Sequence, residues 1–351
     1  MKKTVKVVSI NLAFIIFIIL VFELLFGHWF EKNYFGYNMK GKRLQKIDFE
    51  IDKKNIKKKW TYRRDYYGFR EEFDFKNKYD LSKVEIVFTG GSTGSEMIMP
   101  YEETIVGNLN KYLKTANLNI KIFNASLDGK SLIGKINDFD QWFDKLENFN
   151  PKMMIFYMGL TDRRMPQKRF NDNNEILSKK DYIIAVISQR SFIWDKLKNI
   201  KNFYIDKRKD GYSFFENAVK GNKDFINYKL AQKIYITPNN EELKILENYK
   251  KNLKRLNSIL KERKIIPVFI TQIRYDGNGE SILFYLNEEL KEFSLTNNYR
   301  LIPLDELIDE NVDHLFFDKV HTNEKGSYYI ANKIYPSLKR IIVSDLIEKK
   351  N

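Results

Sequence analysis

The feature of this chain that most restricts its fold is the alternation of short apolar runs with amphipathic helical spacing from about residue 84 onward. A strand buried on both faces is apolar at every position, so these runs predict a parallel sheet covered by helices on both sides. The predicted architecture is therefore α/β. The predicted strands are 84–88, 120–123, 153–157, 265–271 and 300–304, and the predicted helices are 102–116, 133–146, 243–260, 281–295 and one that begins near 323.

An apolar segment over residues 7–26 precedes this pattern and predicts one N-terminal transmembrane helix. At a rise of about 1.5 Å per residue the segment reaches roughly 30 Å, which is the thickness of a bilayer core. A buried core helix and a cleaved signal peptide are the alternatives. The segment is apolar on every side and longer than a usual signal-peptide core, and the aromatic residues 28–30 follow it where a cleavage site would lie. These features favour an uncleaved signal anchor.

The distribution of charge sets the expected topology. Lys2, Lys3 and Lys6 favour a cytoplasmic tail over residues 1–6, although basic residues also follow the span. The short tail and the long following domain favour an extracytoplasmic location for the chain after about residue 30. Residues 27–80 are polar and aromatic-rich, and we interpret them as an irregular stalk and N-terminal extension that leads into the main domain over 81–345.

The net charge of +15 comes from 61 basic and 46 acidic residues. The lysines are spread along the chain and no nucleic-acid-binding motif is present, so we interpret the charge as a general lysine bias and expect no nucleic-acid partner. Three histidines and no cysteines supply no cluster of metal ligands, so the sequence predicts neither a metal site nor a cofactor. It leaves the oligomeric state open.

Two separated motifs carry candidate chemistry. Ser92 lies in a Gly-Gly-Ser-Thr-Gly loop directly after the first predicted strand, and Asp318 precedes His321 by three residues. Nucleophilic acyl transfer needs a hydroxyl, a base that takes its proton and an acceptor that orients the base. The loop alone is also typical of a tight turn or an anion-binding nest, and the Asp–His pair alone of a helix cap. His28 and His314 have no such companions, so we interpret them as bystanders.

Four motifs in this order resemble the SGNH, or GDSL-like, hydrolases. They are VEIVFTGGSTGSE, FNASLDGKS, FYMGLTD and DKVHTNEKGSYYIA, and YGFR at 67–70 resembles the lead-in of membrane-anchored members. The resemblance covers about 66–331 without the middle insertion. It implies a flavodoxin-like three-layer sandwich with a central parallel sheet. It also implies that Ser92 is the nucleophile, His321 the general base and Asp318 its orienting acid.

The resemblance further implies an oxyanion hole formed by the backbone N–H groups of Ser92 and Gly129 and by the side chain of Thr161. The family usually has asparagine where this chain has Thr161, and a lost oxyanion donor can cost roughly 3–4 kcal/mol. The motif also fits the G-x-S-x-G elbow of α/β-hydrolases. In that fold the serine follows a later strand and the acid and base lie far apart in sequence, which favours the SGNH interpretation.

Two further features have alternative interpretations. Asp162 and Arg163 follow the third strand, where they could bind an anionic substrate or belong to a solvated loop. The insertion 165–240 contains apolar positions on a basic background. It could cover the site, rest on the membrane surface, or pack against the sheet.

The predicted function is a membrane-anchored extracytoplasmic serine esterase that removes acyl groups, plausibly acetyl, from cell-envelope glycans. The expected partners are the membrane and an acylated carbohydrate or other ester. An O-acyltransferase that uses the same acyl-enzyme is the first alternative. The second alternative is a non-catalytic envelope protein with this fold. It stays open because Thr161 stands where the family usually has an oxyanion-hole asparagine.

Overall fold

An N-terminal helix precedes the strands and helices of the α/β domain. The computed structural model describes residues 2–27, 29–30, 43, 45–53, 56–70, 78–164, 180, 183–184, 187, 190–194, 196–197, 209–210 and 224–348. Helix α1 (Lys2–Phe26) contains a stretch, Val5–Phe26, that is long and apolar enough to span a membrane, and its side chains are largely exposed. A signal sequence has the same length and composition.

A β-hairpin occupies the region that the sequence analysis interpreted as irregular. Strand β1 (Gln45–Lys53) pairs antiparallel with β2 (Ile56–Arg64), and the two-residue strand β6 (Lys209–Asp210) lies parallel to β1. Phe49 stacks on Trp60 with ring centroids 5.1 Å apart, and both rings are buried. The expectation of an irregular stalk is therefore wrong for residues 45–53 and 56–64.

The central sheet has five parallel strands. They are β3 (Ile86–Thr89), β4 (Ile122–Asn124), β5 (Met153–Tyr157), β7 (Ile266–Ile270) and β8 (Arg300–Ile302). Their spatial order is β4-β3-β5-β7-β8, and every neighbouring pair is parallel. Counted within this sheet, the order is 2-1-3-4-5, the flavodoxin-like arrangement.

Helices connect the strands and cover both faces of the sheet. Their bounds are α2 (Ser92–Ser95), α3 (Ile105–Thr115), α4 (Leu132–Gln141), α5 (Tyr228–Ile234), α6 (Asn240–Glu262), α7 (Ser281–Thr296), α8 (Leu304–Leu307) and α9 (Glu324–Ile342). Short 3₁₀ turns cover 81–83, 101–103, 143–145, 162–164 and 313–315, and a π-helical turn covers 343–347. Side-chain oxygens of Thr104, Ser131, Asn239 and Asn323 cap helices α3, α4, α6 and α9.

The core consists of two apolar layers, one on each face of the sheet. Strand β5 is buried along its whole length, as its continuously apolar sequence predicts. Met154 and Phe156 pack with residues of α4, α6 and α7 on one face, whereas Met153, Ile155 and Tyr157 pack with residues of α3 and α9 on the other. The predicted three-layer α/β sandwich is confirmed, and its helices and strands agree with the sequence pattern to within a few residues.

Candidate active site

The structure brings Ser92, His321 and Asp318 into one hydrogen-bonded chain. Ser92 Oγ lies 2.8 Å from His321 Nε2, and His321 Nδ1 lies 2.7 Å from Asp318 Oδ2. The other carboxylate oxygen accepts from the backbone N–H groups of Val320 and His321, each at 2.8 Å. Burial raises the pKa of Asp318, but the hydrogen bonds from the His321 ring and from these two N–H groups outweigh it and lower the pKa to about 2. Asp318 is therefore ionised in the folded protein near neutral pH.

The position of Ser92 depends on a turn that glycine permits. Ser92 begins α2, three residues after β3 ends at Thr89. A Cβ atom on Gly91 would lie 2.9 Å from Thr161 Oγ1, and one on Gly94 would lie 2.7 Å from Ser126 Oγ. Real Cβ atoms do not approach other atoms so closely, so side chains at these positions would displace the neighbouring loops.

The three predicted oxyanion-hole residues line one small cavity beside the nucleophile. Ser92, Gly129 and Thr161 share this cavity, of about 130 Å³, with His321. Among the residues that the structure describes, neither the Ser92 nor the Gly129 backbone N–H has an acceptor. Gly129 has a φ of +76°, a left-handed conformation that glycine adopts without strain. The Thr161 hydroxyl likewise bonds to no described residue, so all three donors are available to a ligand.

A second cavity, of about 230 Å³, is also lined by Ser92 and His321. Met97 and Ile98 contribute apolar side chains to its wall, together with Ser92 and His321. The β-hairpin supports this wall, because Trp60 Nε1 donates to the Met97 carbonyl at 3.3 Å. The N-terminal extension is therefore part of the structure that shapes the site.

Glu96 was not singled out by the sequence pattern, yet it joins the nucleophile segment to the base loop. Its N–H donates to Ser92 O at 2.8 Å, and its carboxylate accepts from the Ile105 N–H at 2.7 Å, from Thr322 Oγ1 at 3.1 Å and from Ser327 Oγ. Burial raises the pKa of Glu96 to about 7 against the opposing effect of these hydrogen bonds. Glu96 has a φ of +46°, a left-handed conformation that destabilises a non-glycine residue by roughly 1 kcal/mol or more. The hydrogen bonds of Glu96 offset this cost.

Gln272 supports the site from the carboxyl end of β7. Its Nε2 donates to Thr93 Oγ1 at 2.8 Å, and its Oε1 accepts from the Leu160 N–H at 2.7 Å. Gln272 itself is fixed by a pair of backbone hydrogen bonds with the Asn287 amide. The Gln272 side chain therefore links the loop of Ser92 to the loop of Thr161 through hydrogen bonds.

Arg70, from the YGFR lead-in, is buried beneath the nucleophile turn. Its guanidinium donates to the carbonyls of Ser95 and Met99, the latter at 2.6 Å, and its backbone N–H donates to Asn124 O at 2.8 Å. Asn124 in turn donates from its amide to Gly94 O at 2.9 Å. The only sequence signal for this role was the position of YGFR upstream of the first strand.

The predicted substrate contacts Asp162 and Arg163 have other partners. Asp162 is 5% exposed, lines neither cavity, and accepts from the Leu132 N–H at 2.7 Å at the start of α4. Arg163 lines the smaller cavity, but its guanidinium forms an ion pair with Glu280 and donates to Leu160 O at 2.9 Å. Burial and the hydrogen bond from Leu132 describe where Asp162 lies, and a substrate contact by Asp162 or Arg163 stays a prediction.

Of the two remaining histidines, the structure describes only His314. His314 is largely exposed beside Asp313 and lines neither cavity. His28 lies outside the described residues.

No family model and no curated protein matches the chain. Among solved structures, it is similar to the acetyl xylan esterase AlAXEase, with 14% identity, a TM-score of 0.42, and coverage of 73% of this chain and 100% of that one. It is also similar to a lipolytic protein of the G-D-S-L family from Veillonella parvula, with 14% identity, a TM-score of 0.41, and coverage of 73% and 98%. A third is a catalytic mutant of Axe2, an acetylxylan esterase from Geobacillus stearothermophilus, with 10% identity, a TM-score of 0.42, and coverage of 74% and 93%.

Proposed function

We propose that this chain is a membrane-anchored, extracytoplasmic serine esterase of the SGNH type. The observation that carries the proposal is the continuous hydrogen-bonded chain from Ser92 Oγ through the His321 ring to the Asp318 carboxylate. A hydroxyl, a base and an ionised acid in this order form the arrangement that nucleophilic acyl transfer requires. A binding protein has no need of it.

In the proposed reaction, Ser92 Oγ attacks the ester carbonyl carbon while His321 Nε2 takes its proton. Asp318 stabilises the imidazolium that forms, since its carboxylate stays ionised. The negative charge on the carbonyl oxygen is stabilised by the Ser92 and Gly129 N–H groups and by the Thr161 hydroxyl. The imidazolium then protonates the leaving alkoxide, and the acyl group remains on Ser92 until water or another hydroxyl attacks it.

The cavity that contains the oxyanion donors favours a short acyl group. Its volume is about 130 Å³, smaller than the cavity of about 230 Å³ lined by Met97 and Ile98. Acetyl fits this limit. An anchor through α1 with the domain outside the cytoplasm gives the site access to acylated envelope glycans, which we propose as the substrate class.

A fluorophosphonate probe tests the nucleophile directly. Wild-type protein is expected to be labelled and Ser92→Ala to remain unlabelled, while the exposed control Ser82→Ala is labelled like wild type. Equal labelling of the Ser92→Ala variant would remove Ser92 from the mechanism. A folded wild-type protein that reacts with no probe and no ester would support the non-catalytic alternative.

A panel of p-nitrophenyl esters, with and without sugar acceptors, separates esterase from transferase. The proposed esterase releases free acetate at the same rate whether or not an acceptor sugar is present. Acetate transferred to the sugar in preference to water would assign the same acyl-enzyme to an O-acyltransferase.

A further inference from the structure

A carboxylate near the end of the apolar helix α1 is bonded to a distant part of the chain. Glu23 lies three residues before the end of α1 at Phe26. Its carboxylate accepts from Ser191 Oγ at 2.5 Å, from the Ile193 N–H at 3.0 Å and from the Phe192 N–H at 3.1 Å. Trp29 Nε1 adds a fourth hydrogen bond at 2.8 Å. An ionisable side chain in a membrane helix is costly unless it is paired, and here four donors offset that cost.

The contacted segment begins with a helical turn that this carboxylate helps to cap. Residues 192–194 are helical, and Ser191 Oγ also accepts from the Trp194 N–H at 3.0 Å. Ser191 is buried, and the rings of Phe192 and Phe26 lie with centroids 5.4 Å apart. Polar and apolar contacts therefore join the same two segments.

The other side of this segment presents apolar side chains to the surroundings. Trp194 is 43% exposed and Leu197 is 59% exposed. Lys196 Nζ lies 5.1 Å from the centroid of the Phe192 ring. Exposed tryptophan and leucine beside lysine are typical of elements that lie in the headgroup layer of a bilayer.

We propose that residues 190–194 and 196–197 form an interfacial dock, in which Glu23 binds this segment to the C-terminal end of the membrane anchor. Trp194 and Leu197 then enter the headgroup layer of the same bilayer. We assign the bilayer as the partner of the exposed apolar face because of where the segment contacts α1. Glu23 lies within one helical turn of the end of α1, about 4.5 Å along the axis at 1.5 Å per residue, so the segment lies close to the membrane surface. The dock requires that α1 remain attached as the anchor, and it is independent of the esterase chemistry.

The absence of native cysteine allows a clean cross-linking test in membranes. Full-length protein with the pair Phe26→Cys and Phe192→Cys is expected to be cross-linked by a short bifunctional maleimide, since the two side chains are in contact. The matched control is Val7→Cys with Phe192→Cys, because Val7 lies about 28 Å along the same helix at 1.5 Å per residue. Adding Glu23→Ala to the first pair is expected to lower the cross-linked fraction severalfold, and Glu23→Gln, which keeps one acceptor oxygen, to lower it less.

Lipid quenching tests the second half of the proposal. In vesicles of brominated phosphatidylcholine, wild-type tryptophan fluorescence is expected to be quenched more than that of Trp194→Phe. The core residues Trp60 and Trp142 provide an internal reference because both are buried. Cross-linking no greater than in the Val7 control, or unchanged by Glu23→Ala, would overturn the dock. If the cysteine pair is cross-linked but Trp194 is not quenched, the bilayer does not cover the exposed face of the segment, and that part of the proposal is wrong.

Discussion

The two sides of the candidate active site are built differently. On the base side, Ser92, His321 and Asp318 are side chains that already bond to one another at 2.7–2.8 Å. On the oxyanion side, Ser92, Gly129 and Thr161 line a small cavity, and the Ser92 and Gly129 N–H groups and the Thr161 hydroxyl bond to no described residue. In the proposed mechanism, proton transfer is therefore preorganised by the side chains themselves. Charge stabilisation would depend instead on how the loops place three separate donors.

This difference predicts that the largest loss follows removal of the nucleophile. Ser92→Ala eliminates covalent catalysis and is expected to lower kcat for p-nitrophenyl acetate by about four to six orders of magnitude, as in other serine hydrolases. Ser82→Ala, at an exposed position, is expected to keep the wild-type rate. Substantial turnover by folded Ser92→Ala protein would show that the base side is not the reaction centre.

The orienting acid is expected to produce the next largest effect. Asp318→Asn keeps the size of the side chain but removes the charge that stabilises the imidazolium, and it is expected to lower kcat by about 10³–10⁴-fold. Circular dichroism and the melting temperature would confirm that the variant is folded. A loss of less than tenfold would mean that the ionised carboxylate contributes little to the base side.

Thr161 tests the oxyanion side. If its hydroxyl donates to the developing charge, Thr161→Val is expected to lower kcat by about 10- to 10³-fold with little change in KM, the result of losing one transition-state donor. Thr161→Asn supplies the donor that the family usually has and is expected to retain more activity than the valine variant. Full activity of Thr161→Val would leave the backbone N–H groups as the only oxyanion donors.

Glu96 joins the Ser92 segment to Thr322 beside His321, and its effect is expected to be smallest and dependent on pH. Burial raises the pKa of Glu96 to about 7, so folding favours its protonated form. Its contribution to stability is fully present below about pH 4.5 and is lost as the pH rises through about 7. Between pH 5 and pH 8 the melting temperature of wild type is expected to fall by a few degrees more than that of Glu96→Gln.

Glu102→Gln is the matched control for this measurement, since Glu102 is exposed six residues further along the chain. It is expected to keep the pH dependence of wild type. Identical pH dependence in all three proteins would remove Glu96 as the source of the effect.

The sheet and the Asp318–His321 pair were predictable from local sequence signals, whereas the pairing of Ser92 with His321, 229 residues away, was expected only from the family resemblance. Strand β5 is buried on both faces, so every residue in it is apolar, and Asp318 lies three residues before His321 on one loop. The hairpin was missed for a physical reason. In β2 the buried Trp60, Tyr62 and Arg64 alternate with more exposed residues, but the many basic side chains conceal this period of two.

The supporting residues were missed because their partners are distant in sequence. Gln272 contacts a loop 179 residues earlier, and Glu96 contacts Ser327 231 residues later. No spacing rule links such positions. No local pattern indicated that Asp162, a polar residue after a strand, is buried and accepts a hydrogen bond from the Leu132 N–H at the start of α4.

The most direct test of the proposed mechanism is the mass of the intact protein, quenched in acid during turnover of p-nitrophenyl acetate. The mechanism predicts a population heavier by one acetyl group, and peptide mapping should place that group on Ser92. The population should be absent from Ser92→Ala and present in Ser82→Ala. Acetyl transfer to another residue, or ester hydrolysis by wild type while Ser92 is never acetylated under conditions that slow deacylation, would contradict the proposed acyl-enzyme.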